Sequence, residues 1–338
     1  MTKAYLHIGV EKTGTTTIQS FMAKNRPALR QEGFFYPAAP GEENHVGLTL
    51  FAADDPNHLN DILPMAGVYP GTDLAAYSAQ MLSNLKSGFD MSGCQALVLS
   101  NEHLSSRVRT EKSISKLGDA LGAVADTVDV VVYLRRQDEV VLSEYSTRVK
   151  VGYTERFSLE PHHFRNYDYA ALLDRWSAVF GRDHVLVRVF ERASLRDGDL
   201  IADFLGLIHC PFNASFASVP PQNLSLDTDC LEYLRRLNRH LPAFVDGRPN
   251  SDRGDLVVQL AAISKGEKPR FGSAQADAIL EYFAVSNRDV AIRYLQRPDG
   301  VLFCASRERA AEDNFVTLDD DRSFALTAAL WRQLQSRS

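Results

Sequence analysis

The sequence predicts an α/β protein: a three-layer fold with a central parallel sheet of about five strands and a helical carboxyl-terminal portion. Three observations predict it. Short apolar runs such as Ala96–Leu99 and Val128–Leu134 read as strands buried on both faces, and segments with helical spacing separate them. Tyr5 to Ile8 run into a glycine-containing turn, Gly9 to Gly14, which opens a helix at Thr15. Val130 to Leu134 deliver Arg135 and then a second helix. Open parallel sheets bind ligands beyond the carboxyl ends of their strands, where both segments end.

Length and composition set the outer limits. The 338 residues suffice for a large core, and 45% hydrophobic with 24% charged content is that of a globular chain. A net charge of −6 gives no general attraction to nucleic acid or to an anionic membrane. Cys94, Cys210, Cys230 and Cys304 are scattered, so reduced thiols are expected rather than a disulfide framework or a zinc site. The amino terminus enters the first strand without a charged leader and apolar stretch, and no run of about eighteen apolar residues occurs. A cytoplasmic protein without a membrane span is expected.

The elements follow in order. Tyr5–Ile8 is the first strand, and Thr15–Arg30 a helix bent at Pro27, with Ile18, Phe21 and Met22 on one side. Phe34–Tyr36, stopped by Pro37, is a second short strand. Residues 38–72, rich in Gly, Pro, Asp and Asn, read as a long loop with short helical pieces, of the kind that builds binding sites. Helices over Leu74–Leu85 and Lys112–Val124 flank the strand Ala96–Leu99, which ends in Ser100-Asn101-Glu102-His103. Val128–Leu134 is the next strand. Tyr169–Phe180 is a helix closed by Gly181, His184–Phe190 a strand and Asp199–Leu207 a helix. Helices over Asp227–Leu241, Asp255–Ile263, Ala274–Tyr294 and Ser323–Gln335 complete the chain. Residues 1–215 thus form the α/β core, and residues 216–338 a helical part of the same domain that serves as acceptor-binding or lid region.

The first turn carries chemistry. A strand, a glycine turn and a helix amino terminus together aim backbone N–H groups at one spot and favour an anion there. The spacing Gly9-x-x-x-x-Gly14 is P-loop-like, but the nucleoside-triphosphate motif continues Gly-Lys-Ser/Thr. Here Thr15 and Thr16 follow Gly14, and Lys12 sits inside the turn. The form Lys12-Thr13-Gly14-Thr15-Thr16 resembles the 5′-phosphosulfate loop of sulfotransferases that use 3′-phosphoadenosine 5′-phosphosulfate (PAPS).

A second segment agrees with it. Arg135 offers a planar fork of donors to a phosphate, and Ser143 lies about two turns into the following helix. In sulfotransferases an arginine at a strand end and a serine eight positions later grip the donor's 3′-phosphate, the spacing of Arg135 and Ser143. Val185 to Arg192 and Gly198 to Leu205 look like a strand and helix common in bacterial members. The resemblance covers roughly residues 4–207, with a looser echo to about 296. Thr17 and Ile18 stand where phenol-type members carry a tryptophan against the adenine, and Arg270-Phe271-Gly272 is a faint echo of a late Arg-Lys-Gly element. These departures fit a bacterial or carbohydrate-type member.

The resemblance implies PAPS as co-substrate, its 3′,5′-bisphosphate (PAP) as product, and in-line transfer of a sulfuryl group to a hydroxyl or amine. Lys12 stabilises the departing phosphate, with Thr13, Gly14, Thr15, Thr16 and Thr17 around the 5′ end, and Arg135 and Ser143 at the 3′-phosphate. No metal is called for. The base is Glu102, at the end of a buried strand, with His103 as alternate and His45, in the irregular loop, as a second candidate. For Glu102, a carboxylate partnering donors at a helix amino terminus is the competing structural reading. The partners are the nucleotide donor and a small-molecule or glycan acceptor. Arg235, Arg236, Arg239, His240, Arg248, Arg253, Lys265, Lys268 and Arg270 offer either a surface for an acidic polysaccharide or a solvated helix face. A nucleotide kinase or NTPase, or a non-catalytic nucleotide-binding subunit, is the alternative.

Overall fold

The computed structural model describes residues 1–55, 59–69, 71–158, 164, 166–219, 225–245, 248–303 and 310–335. Five strands, β1 (Lys3–His7), β2 (Phe34–Phe35), β3 (Ala96–Ser100), β4 (Thr127–Leu134) and β5 (Val185–Val189), form one sheet in the order β2-β3-β1-β4-β5. Every pairing in it is parallel. The register sets His7 beside Ser100 of β3 and Val131 of β4, so β1 ends level with β3 while β4 runs on to Leu134. Ile8 and Val10 extend the pairing past β1, their N–H groups donating to the Val131 and Tyr133 carbonyls at 3.0 and 3.3 Å.

The helices are α1 (Thr15–Lys24), α2 (Arg26–Gln31), α3 (Val46–Ala52), α4 (Leu74–Ser92), α5 (His103–Arg107), α6 (Glu111–Gly122) and α7 (Gln137–Lys150). They continue with α8 (Tyr169–Phe180), α9 (Leu200–Leu207), α10 (Thr228–Leu237), α11 (Leu256–Ile263), α12 (Ser273–Tyr282), α13 (Ala284–Arg293) and α14 (Asp320–Gln335). Side-chain carboxylates cap several of them. Asp73 accepts from the amides of Ala75 and Ala76, Asp168 from Ala171, Asp199 from Ala202 and Asp227 from Cys230.

One sheet face packs Tyr5, Val98, Val131 and Tyr133 against Ile18, Phe21 and Met22 of α1 and Phe204 and Leu205 of α9. The alternate residues Leu6, Leu97, Leu99, Val130 and Val132 are buried as well, and α6 and α8 both contact β4. Burial on both faces explains why these strands read as continuous apolar runs. Cys94, Cys210 and Cys230 are buried free thiols; Cys304 lies outside the described residues.

Two helices differ from the sequence reading. The first breaks at Asn25 rather than bending at Pro27. The Asn25 side chain donates to the carbonyls of Phe21 at 2.9 Å and Ala217 at 3.0 Å, and Pro27 takes the first turn of α2, where its missing N–H costs nothing. The expected helix Ala274–Tyr294 is two, α12 and α13, parted at buried Phe283.

The chain forms two compact units. The first comprises Met1–Arg136, Asn166–Pro221 and Ala284–Ala305 and contains the whole five-stranded sheet; the second comprises Gln137–Arg165, Gln222–Phe283 and Ser306–Ser338. The units interleave along the sequence, whereas the sequence reading places a single boundary near residue 215. The second unit is mainly helical, with one short antiparallel pairing of Phe244–Val245 and Arg248–Pro249, and has a core of Tyr145, Val149, Leu226, Leu231, Leu234, Leu260 and Leu330. Among the described residues, no helix is long and apolar enough to cross a membrane.

Candidate functional site at the carboxyl edge of the sheet

Four strands of the first unit end on one edge, and each contributes a segment there. The Gly9–Gly14 turn follows β1, Asn101 to His103 follow β3, Arg135 follows β4 and Phe190 follows β5. The turn has an unusual backbone: Gly9, Lys12 and Gly14 have φ values of 81°, 68° and 78°. Glycine adopts this left-handed region freely, whereas Lys12 does so at a cost of about 1–2 kcal/mol. Thr13 closes the turn, its hydroxyl donating to the Val10 carbonyl at 2.5 Å. Gly14 is the N-cap of α1. The amides of Thr17 and Ile18 bond back to its carbonyl at 3.0 and 3.2 Å, while those of Thr15 and Thr16 belong to the set that a helix cannot satisfy internally. Thr16 is exposed, Lys12, Gly14 and Thr17 are partly so, and Thr15 is buried.

Gly9 is also sterically required. A Cβ there would lie 2.8 Å from the Glu102 Cα and 2.9 Å from its Cβ. Gly9→Ala is therefore expected to destabilise the fold by about 3 kcal/mol, from the left-handed φ and the backbone collision together. A drop of less than about 1 kcal/mol in urea unfolding would show that the turn and the β3 end move apart freely.

Arg135 joins the two predicted motifs. Its Nη1 donates to the Lys12 carbonyl at 3.0 Å, and its guanidinium lies over the Phe190 ring at 5.8 Å. Its own carbonyl accepts from the Tyr169 hydroxyl at 2.6 Å, which ties the strand end to α8. Phe190 also approaches the loop: its ring would be 3.3 Å from a Cβ at Gly14. The sequence reading passed over Phe190, although its place one residue beyond β5, on the same edge, marks it. Ser143 lies on α7 in the second unit, eight residues past Arg135 and partly exposed.

Glu102 has no capping bond to α5, unlike the structural alternative considered for it. Its Oε2 instead accepts from Gln19 Nε2 at 2.7 Å and Asn44 Nδ2 at 3.1 Å, leaving Oε1 without a partner among the described residues. A buried polar network stands behind it. Gln19 also donates to the Ser100 hydroxyl at 3.3 Å, which bonds His7 Nδ1 at 2.8 Å. Asn44 accepts from Asn101, whose side-chain oxygen accepts from the Thr49 hydroxyl at 2.6 Å. Gln19 was legible as a polar residue beside the apolar Ile18, Phe21 and Met22 of the helix, although Thr15 and Ser20 are buried with it. Asn44 and Asn101 carried no such signal.

The three histidines near this edge differ. His45 is fully buried; its Nδ1 accepts from the Ser100 amide at 3.0 Å, and its Nε2 donates to the Pro37 carbonyl at 2.9 Å. Burial pushes it down to about 3, so it is a neutral histidine with both nitrogens committed to backbone. It has nothing to offer an acceptor hydroxyl. This differs from the loop-surface base of the sequence reading, because the irregular segment folds inward there. His7 is likewise buried and driven down to about 3, with Nε2 unpartnered and its ring edge-on to Phe204.

His103 is the one that titrates upward. Burial opposes its charge, but the Glu11 carboxylate 3.5 Å away, helped by Glu102, more than offsets this. Glu11 moves the other way: burial raises it, while His103 and the Ser106 hydroxyl, donating at 2.8 Å, hold it below the usual carboxylate range. Since His103 is raised in the folded state, its stabilisation is full below the ordinary imidazole value and is lost as pH rises through the folded value. Glu11 loses its own contribution only as pH falls below the carboxylate range. His103→Gln should therefore cost more stability at about pH 5.5 than at about pH 8.5, as urea midpoints would show. An equal cost at both would remove the ion pair from the loop's support.

Of the nine basic residues named in the second unit, seven are exposed, as a solvated face requires, and two are not. Arg235 and Arg253 are buried. Arg235 pairs with Glu232 through two 2.7 Å bonds, and Arg253 donates to Asn238 at 2.6 Å and to the Lys150 carbonyl at 3.0 Å. Arg236 and Lys268 donate to the carbonyls of Leu318 and Ser225, and Arg270 pairs with Glu267. These five cations fasten loops and helix ends within the unit. No group of His, Cys, Asp or Glu suited to holding a metal ion occurs among the described residues.

No family model matches the chain. It is 27% identical over 169 residues to an uncharacterized protein of Archaeoglobus fulgidus, a match over 49% of this chain and 45% of that protein. The chain thus spans less than half the length of that relative. Among solved structures it is similar to a sulfotransferase from Alicyclobacillus acidocaldarius, with TM-score 0.40 and 15% identity over 64% of this chain and 86% of that one. It is also similar to the sulfotransferase domain from the curacin biosynthetic pathway, with TM-score 0.37 and 10% identity over 84% and 98% of the two chains.

Proposed function

We propose that this chain is a sulfotransferase that moves the sulfuryl group of PAPS to a hydroxyl or amine and releases PAP. The observation that carries the reading is the bond from Arg135 to the Lys12 carbonyl: the phosphate-type turn and the strand-end arginine are one connected edge. The Lys12-Thr13-Gly14-Thr15-Thr16 turn holds the 5′-phosphosulfate. Arg135 and Ser143 take the 3′-phosphate. Phe190, beside both Arg135 and the turn, is positioned to support the nucleoside.

In the reaction the acceptor oxygen or nitrogen attacks sulfur in line while the sulfur–oxygen bond to the 5′-phosphate breaks. Negative charge grows on the departing phosphate oxygen, where the Lys12 ammonium and the first amides of α1 stabilise it. The acceptor's proton goes to Glu102 Oε1, the carboxylate oxygen that Gln19 and Asn44 leave unoccupied. Those two amides fix the carboxylate so that little reorganisation accompanies transfer.

Calorimetric titration with PAP tests the reading first: the purified protein should bind it tightly, and an absence of binding would sink the proposal. Lys12 has a second signature. Lys12→Met should keep PAP affinity within about tenfold and lower sulfuryl transfer by about 10²–10³-fold, the usual loss when one preorganised donor at a developing charge is removed. Equal losses in binding and transfer would make Lys12 a binding residue instead.

A further inference from the structure

The second unit contains a cavity of about 250 Å³ that the donor reading does not use. Tyr145, Phe157 and Phe315 form its aromatic wall: Phe157 and Phe315 stack at 5.6 Å with planes 5° apart, and Tyr145 meets both edge-on. Facing them on the first turn of α12 is Gln275. Its Oε1 is buried and has no hydrogen-bond partner. Buried acceptors are nearly always satisfied, so an orphan one lining a cavity marks a position that a donor fills. The frame around it is well tied. Ser273 bonds to the Ala310 carbonyl at 3.0 Å, and the Arg270 amide to the Asn314 side chain at 2.7 Å.

The lining carries one cation, Arg156, and two carboxylates, Glu232 and Asp313, with Arg235 behind Glu232 to offset one of them. Arg156 donates to the Thr317 hydroxyl at 2.8 Å and stands 4.0 Å from Glu232, whose carboxylate is committed to Arg235. Asp313 is exposed at the rim. A charged guest would meet cation and anion alike. Ligand pockets usually measure roughly 300–1,000 Å³, so this one suits a single ring.

We infer that this cavity binds one neutral polyhydroxylated ring of pyranose size, its apolar face against the aromatic wall and a hydroxyl donating to Gln275 Oε1. Thr228, Thr317 and Asp313 also line the cavity, so a ring bearing several hydroxyls finds more polar partners there than a phenol does. Aromatic walls take the C–H face of the ring, and the orphan carbonyl gives it orientation.

The test uses the intact protein without nucleotide, so it is independent of the sulfuryl-transfer reading. Saturation-transfer NMR and calorimetry would be run with the methyl glycosides of glucose, galactose, mannose and N-acetylglucosamine, and with phenol. At least one glycoside should bind with a millimolar or tighter Kd, and Gln275→Leu should weaken it by at least about tenfold. Thermal melts should show Gln275→Leu as stable as the parent, since the carbonyl it removes has no protein partner; Gln275→Met serves if that variant fails to fold. A cavity that holds only water gives no glycoside signal, and this overturns the inference. So does glycoside binding indifferent to both substitutions, or binding of phenol alone.

Discussion

Arg135→Ala is expected to weaken PAP binding by at least about 100-fold. A charge-assisted hydrogen bond contributes about 1.5–3 kcal/mol, and a guanidinium offers a phosphate two in parallel. Their joint loss of about 3–6 kcal/mol exceeds the roughly 2.7 kcal/mol that separates a 100-fold difference in Kd. The variant also removes the bond to the Lys12 carbonyl, so the loop loses a fixed partner. Arg135→Lys separates the effects: it keeps the charge and loses the planar fork, so it should recover only part of the affinity. Titration of both variants, with circular dichroism to verify folding, reads the result. Affinity within threefold of the parent in Arg135→Ala would remove this arginine from the site.

Glu102→Gln should lower the rate of transfer by about 10²–10⁴-fold and leave PAP binding unchanged. The substitution is nearly isosteric, and the new amide oxygen can still accept from Gln19 and Asn44, so the network behind it should survive. What is lost is the capacity to take a proton. Transfer that persists in Glu102→Gln but falls in His103→Gln would move the base to the neighbouring histidine, which the Glu11 carboxylate raises against the effect of burial.

Both predictions rest on residues that the sequence alone marks. The reason is positional: Arg135 and Glu102 follow runs that are apolar on both faces, and a residue just beyond such a strand stands at the ligand-binding edge. Gly9 and Gly14 announced the turn, and the helices read from Tyr169, Asp199 and Asp227 start within one residue of those positions in the structure. His45 was misjudged for the opposite reason. A loop rich in Gly, Pro and Asn has no periodicity, and nothing local reports that its backbone bends inward until both imidazole nitrogens meet carbonyl and amide.

The sequence by itself determined the strand–turn–helix over residues 3–24, the arginine at the end of β4 and the parallel pairing of β1 with β4. Those features depend on local hydrophobic runs and on glycine's freedom at positive φ. Only the tertiary structure decided which polar groups are in use. Gln19 and Asn44 converge on Glu102 from segments 25 residues apart, Arg235 and Arg253 are committed to interior bonds, and Gln275 is left with a buried oxygen unpaired. Hydrogen-bond satisfaction is a property of the packed chain: each donor finds its acceptor across distances in sequence that no local pattern encodes.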